Sequence, residues 1–130
     1  MSTQFFFGAR SKQNLKGVHP DLVHVAIRAL VISKIDFVVT EGRRSMARQN
    51  ELFQSGATTT MNSRHLTGHA IDIAPYVGGQ IRWDWPLFYQ LADAMKQAAV
   101  ELGVGIEWGG DWKTFKDGPH FQLSWKLYPA

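Results

Sequence analysis

Apolar positions recur at helical spacing in two stretches of the chain. Leu22, Val25, Ala26, Ala29 and Leu30, running on to Ser33, follow His19-Pro20-Asp21, where proline suits a first turn and aspartate the positive end of a helix dipole. Phe88, Leu91, Ala92, Met95, Ala99 and Leu102 form a second stripe, predicting a long helix capped by Asp84, carrying Pro86 in its first turn and ended by Gly103. A shorter helix is predicted from the cap Ser45 to about Gln54, stopped by Gly56. Residues 37–40 are β-branched and aromatic and predict a strand entering the Glu41-Gly42-Arg43-Arg44 turn. Three more strands are predicted at residues 69–74, 105–108 and 120–125, while the Thr-rich stretch 57–66 reads as a loop. Helices placed early and late around short strands predict an α+β class. No repeat or linker breaks the chain, so one catalytic-size domain over residues 1–130 is expected, with no separate binding module.

Composition narrows the chemistry. The 130 residues include no cysteine, which excludes a disulfide framework, a thiol nucleophile and a Cys-ligated metal. A transition metal would have to be held by histidine and carboxylate. No apolar run approaches the roughly 18 residues of a membrane span, so no stable membrane association is expected. The first ten residues lack the basic and apolar regions of a secretory signal. The net charge of +3 is uneven: residues 1–64 hold nine Lys/Arg against four Asp/Glu, and residues 65–130 five against seven. A mildly basic half suits an anionic polymer, but no nucleic-acid recognition motif accompanies it, and no nucleic acid is expected as partner.

Of five histidines, His19 and His24 read as ordinary surface or core imidazoles, whereas two others sit in unusual company. His65 lies on the loop before a strand that carries Asp72, with Gly68 and the small Ala70 between them. A carboxylate between Ile71 and Ile73 is costly to bury unless it faces a cation. His120 begins a strand whose alternation sends it with Gln122 and Ser124 away from the apolar Phe121, Leu123 and Trp125. Two histidines and one aspartate make an open three-ligand zinc site. Asp117, across a Gly-Pro turn from His120, can act as general base on a water there. Glu107 is the rival base, or an outer acceptor that orients His120. The tryptophans Trp83, Trp85, Trp108, Trp112 and Trp125 read mainly as core, although Trp108 and Trp112 flank a Gly-Gly turn and could wall a substrate cleft. Arg43, Arg44, Arg48 and Arg64 could hold carboxylates of a substrate.

These residues resemble a known family. Ser63-x-His65-x-x-Gly68-x-Ala70-x-Asp72 followed by Asp117-x-Pro119-His120-Phe121 is similar to the zinc peptidases of bacterial cell walls, which include D-alanyl-D-alanine carboxypeptidases and dipeptidases and the L-alanyl-D-glutamate endopeptidases used as phage endolysins. Gly42-Arg43-Arg44-Ser45-x-x-x-Gln49 resembles their Gly-Tyr-Arg-Ser-x-x-x-Gln segment, and Trp108-Gly109-Gly110-Asp111-Trp112 resembles the endolysin branch. The resemblance implies a small antiparallel sheet with flanking helices, the fold shared with hedgehog-like proteins. It implies zinc on His65, Asp72 and His120, with Asp117 as base and Arg44 facing the oxyanion; Ser63, Gln49, Trp108 and Trp112 would meet substrate. Arg43 stands where the family carries Tyr, which leaves open which of the two arginines faces the metal. His69, at a variable position, reads as structural.

The function implied is a zinc-dependent endolysin that hydrolyses the L-alanyl-D-glutamate bond of peptidoglycan stem peptides during host cell lysis. The alternatives are a D-alanyl-D-alanine carboxypeptidase or dipeptidase on the same scaffold and a catalytically silent zinc-stabilised binding module. Asp rather than Glu at position 117 and the Trp-Gly-Gly-Asp-Trp segment favour the endopeptidase. Without a signal peptide, such an enzyme is expected in the host cytoplasm until a holin opens the membrane, then in the periplasm and cell wall. A monomer is expected.

Overall fold

A computed structural model describes residues 5–57, 63–114 and 116–129. Four α-helices and five β-strands alternate along them: α1 (Ala9–Asn14), α2 (Pro20–Ile32), β1 (Asp36–Glu41), α3 (Met46–Gln54), β2 (Ala70–Val77), β3 (Gln80–Ile81), α4 (Trp85–Leu102), β4 (Ile106–Trp108) and β5 (His120–Leu123). The strands pair antiparallel in the order β1-β2-β5-β4, with β3 added to β2 as a short hairpin. The α+β architecture read from the residue pattern is the one observed, and the local causes are visible. The Ser45 hydroxyl accepts the Arg48 amide at 3.0 Å to start α3, and the His19 ring nitrogen Nδ1 accepts the Asp21 amide at 3.1 Å to start α2. A side-chain cap of this kind stabilises a helix by about 1 kcal/mol.

One face of the sheet carries Phe37, Val39, Ile71, Ile73, Phe121 and Leu123, all buried, and α2 and α4 pack over it through Leu22, Val25, Ala29, Leu91 and Met95. Alternation sends Asp72, His120 and Gln122 to the opposite face. Asp72 and His120 are direct register partners on the adjacent strands β2 and β5. The hydrophobic core therefore holds two candidate ligands side by side on its own back.

Several expectations are corrected. The strand predicted over 120–125 stops at Leu123, and Trp125, half exposed, lies against the Arg64 guanidinium at 3.9 Å rather than in the apolar face. Leu102, at the end of α4, is exposed rather than part of the buried stripe. Asp84 precedes α4 but makes no side-chain cap; its carboxylate takes Arg82 at 2.6 Å instead. Within the loop expected over 57–66, residues 58–62 lie outside the described residues, and Arg64–Thr67 form a 3-10 turn.

Candidate metal centre

Three segments bring the site together. The 3-10 turn holding His65 is capped by Ser63, whose hydroxyl accepts the His65 amide at 3.1 Å. It ends at Gly68 with φ +76°, where a Cβ would collide with the Gly17 carbonyl oxygen. The 42–44 turn is stapled to it twice: His65 Nδ1 donates to the Gly42 carbonyl at 2.8 Å, and the Arg44 amide donates to the His65 carbonyl at 2.8 Å. Between β1 and β2 the register shifts after Val39, so Glu41 rather than Thr40 faces Asp72. This bulge re-aims the Glu41 carboxylate onto the site side of the sheet.

His65, Asp72 and His120 converge, with their ligand atoms all within 4.8 Å of one another. Asp72 Oδ1 lies 3.2 Å from His65 Nε2 and 3.4 Å from His120 Nδ1. The outward ring nitrogens are already spoken for. His65 Nδ1 faces a backbone carbonyl, which can only accept, and His120 Nε2 faces Gln122 Oε1 at 2.7 Å. A neutral imidazole has one proton, and outward donation leaves an inward lone pair on each ring. Two lone pairs and a carboxylate then point at one space, which is the arrangement a divalent cation satisfies. The residues present thus fit a metal.

Electrostatics agree with that geometry. Burial works to raise the Asp72 pKa, yet hydrogen bonds and charge from His120 and His65 outweigh it and hold the carboxyl well below its ordinary value. Burial works to lower the His120 pKa, and the Asp72 hydrogen bond and charge outweigh it, leaving the ring above its ordinary value. Asp117 is pushed up, first by burial and then by the Asp72 charge, against the pull of His120, His65 and Arg44.

A cleft of about 260 Å³ opens over the cluster, lined among others by Arg44, Ser63, Trp112 and Asp117. Asp117 is set there by a tight turn: its amide donates to the Gly109 carbonyl at 3.0 Å, and its own carbonyl accepts the His120 amide at 3.3 Å. A Cβ at Gly109 would collide with the Asp117 carbonyl. The Trp112 ring stands 5.1 Å from the His120 ring. The two arginines of the turn part company. Arg44 is buried and reaches the cleft, where Glu41 grips it twice, at 2.8 and 2.7 Å, and Gln49 accepts from Nη1 at 2.6 Å. Its Nη2 also lies 3.9 Å from Asp72 Oδ2. Arg43 turns the other way, into a separate pocket with Lys16 and Arg48.

Three expected substrate contacts are placed elsewhere. Gln49 is fully buried and holds Arg44. Trp108 is buried, stacked on Phe121 with its indole N–H on the Gly118 carbonyl at 2.7 Å, so it backs the Asp117 turn rather than walling the cleft. Arg64 is buried, and its Nη2 donates to the Leu123 and Tyr128 carbonyls at 2.9 and 2.8 Å. Glu107 sits opposite Gln122 on β4 and accepts the Trp125 amide at 3.2 Å, so it neither lines the cleft nor orients His120. Gln122 holds that outer position instead. Glu41 and Gln122 are polar residues of the site that sequence reasoning did not single out, and Leu52 and Ala57 in the cleft wall were not singled out either. Strand alternation placed Gln122 beside His120, but nothing in the sequence announced the bulge that turns Glu41.

Two imidazoles and a carboxylate that could hold a metal ion, a neighbouring acid and a buried arginine thus share one cleft, the kind of arrangement hydrolytic enzymes use. Residues 1–123 match the phage L-alanyl-D-glutamate peptidase family, and the chain belongs to it. It is 38% identical over 117 residues to the L-alanyl-D-glutamate peptidase of Escherichia phage T5, covering 87% of this chain and 85% of that one. It is 38% identical over 112 residues to the peptidoglycan L-alanyl-D-glutamate endopeptidase CwlK of Bacillus subtilis strain 168, covering 75% of this chain and 67% of CwlK. The solved structure of the Serratia marcescens L-Ala D-Glu endopeptidase ChiX superposes with a TM-score of 0.90 at 52% identity, covering 96% of this chain and 95% of ChiX.

Proposed function

We propose that this chain is a zinc-dependent peptidoglycan endopeptidase that hydrolyses the L-alanyl-D-glutamate bond of stem peptides. The observation that carries the reading is the convergence of His65, Asp72 and His120 on one point beneath a cleft that also holds Asp117. Two imidazoles and a carboxylate suit zinc among the available cations. Held there, zinc supplies Lewis acidity that polarises the scissile carbonyl and acidifies the attacking water.

The protein's own groups do the rest. Asp117 takes the proton of the attacking water and passes it to the amine of the departing D-glutamate. Arg44, locked by Glu41 and Gln49, presents a fixed cation to the oxyanion. Such a preorganised donor contributes about 3–4 kcal/mol by analogy with lost oxyanion-hole donors. Trp112, Leu52 and Ala57 narrow the cleft around the reacting atoms.

As an endolysin, the chain would act as a monomeric catalytic unit, waiting in the host cytoplasm until a holin gives it access to the wall; kinship with the phage T5 peptidase supports this placement. Among the described residues no helix is long and apolar enough to cross a membrane. Digestion of purified peptidoglycan with and without a chelator, read by mass spectrometry of the new ends, tests the reaction. Chelator-sensitive release of peptides with N-terminal D-glutamate is expected, with activity restored by zinc. Release of D-alanine would move the assignment to a carboxypeptidase. Stoichiometric zinc without cleavage would leave a binding module.

A further inference from the structure

Beside the catalytic cleft lies a second polar pocket of about 520 Å³, lined by Lys16, Arg43 and Arg48 together with Asn14, Thr40 and Glu41. Glu41 belongs to the walls of both, so the two spaces are neighbours across one side chain. The charge of the second pocket is lopsided. It contains three cations and one carboxylate, and that carboxylate is already gripped by Arg44 on the cleft side. Arg48 pairs with Glu51 through an exposed contact of 3.3 Å that solvent screens. The Arg43 stem passes close over Gly17, φ +81°, where an added Cβ would stand 3.1 Å from Arg43 Cδ.

The proposed reaction requires an anion in this neighbourhood. A D-glutamate whose amine is acylated by alanine has two carboxyl groups, and continuation of the stem peptide uses only one. The other stays free, a few bonds from the scissile amide. Arg44 is committed to Glu41, Gln49 and the oxyanion, and Arg64 is buried against the 123–128 backbone. The second pocket offers three exposed cations, Lys16, Arg43 and Arg48, across Glu41 from the cleft.

We infer that Lys16, Arg43 and Arg48 form a carboxylate subsite that takes the free carboxylate of the D-glutamate residue next to the scissile bond. The inference rests on the endopeptidase reading for its ligand. Arginine is suited to the task because its planar fork pairs with carboxylate in two-point fashion. Arg43 thereby becomes a specificity position in this chain.

The test compares two D-glutamyl product peptides, one with the carboxylate free and one with it amidated, binding to the zinc-loaded full chain by calorimetry. The free carboxylate is expected to bind about tenfold tighter, with the preference shrinking at high salt. Arg43→Gln and Arg48→Gln should each reduce the preference severalfold, Arg43→Lys should keep part of it, and Lys34→Gln, a cation away from the pocket, should leave it at the wild-type value. Equal binding of the two peptides, or an unchanged preference in both glutamine variants, overturns the inference. Cleavage of the corresponding alanyl-glutamyl substrates separates the two claims. A chain that shows the binding preference without cutting refutes the reaction and keeps the subsite. A chain that cuts both substrates with equal kcat/KM refutes the subsite and keeps the reaction.

Discussion

Replacing Gln122 by leucine tests whether the outward hydrogen bond of His120 sets the inward lone pair. Both residues are 6% exposed, and His120 Nε2 stands 2.7 Å from Gln122 Oε1. Leucine is close to glutamine in volume, so packing changes little. In the metal-free variant the imidazole can move its proton to Nδ1, where Asp72 Oδ1 at 3.4 Å accepts it, and the ring remains satisfied. Metal binding forbids that escape, because Nδ1 must then offer its lone pair. The proton is forced onto Nε2 and faces a methyl group in a buried space. An unsatisfied buried donor costs about 1–3 kcal/mol, which converts to roughly five- to 150-fold in affinity. Outer-shell partners of metal-bound histidines lower metal affinity by about 10–100-fold when removed, which falls in the same interval. Zinc competition against a chromophoric chelator should show this loss, while the melting temperature of the metal-free protein stays close to wild type. Gln122→Glu, which restores an acceptor, should bring affinity back to wild type or above. A Gln122→Leu protein that binds zinc within twofold of wild type would refute the reasoning.

Asp117→Asn should lower kcat by about 10²–10⁴ without loss of bound metal. Because burial and then the Asp72 charge raise the Asp117 pKa in the metal-free fold, stability is lost as pH rises from the ordinary carboxylate value through the raised one. The metal-free variant should therefore melt higher than wild type at neutral pH and equal to it in acid; a lower melting point at neutral pH contradicts the assignment. Gly68→Ala places a side chain at φ +76° and against the Gly17 carbonyl. The left-handed backbone alone costs about 1–2 kcal/mol, or about 4–8 °C in melting temperature, and an unchanged melting curve would show that the turn before β2 relaxes freely.

The helices α2, α3 and α4 were legible because their caps and stripes are strong local signals. The short α1 was not: its N-cap Gly8 has no side chain to offer, and within it only Ser11 is buried, its hydroxyl accepting the Val39 amide at 3.0 Å. The β3 hairpin also escaped notice, since it adds only two residues after Gly78 and Gly79, both at positive φ. Strand β2 continues beyond the predicted Ala74 through Pro75, whose carbonyl still accepts the Arg82 amide at 2.9 Å. Asp72 and His120 could be placed on one face by alternation, but their direct pairing needed the register of two strands 48 positions apart in the chain. Arginines were the least legible. Four of them looked alike in sequence, yet one braces the cleft, one is buried under the chain's end, and two face the neighbouring pocket, because tertiary packing alone assigns their directions.

Arg64 ties the turn that carries His65 to carbonyls at positions 123 and 128, and the Tyr128 hydroxyl donates to Asp21 Oδ2 at 2.7 Å. During translation these anchors are among the last parts of the described fold to leave the ribosome. A nascent chain can complete α2 and α4 well before it can brace His65 from behind. The His65 turn is consequently braced only once residues 123–128 have joined the fold, and trimming the polypeptide before Tyr128 would loosen a ligand more than 60 residues upstream.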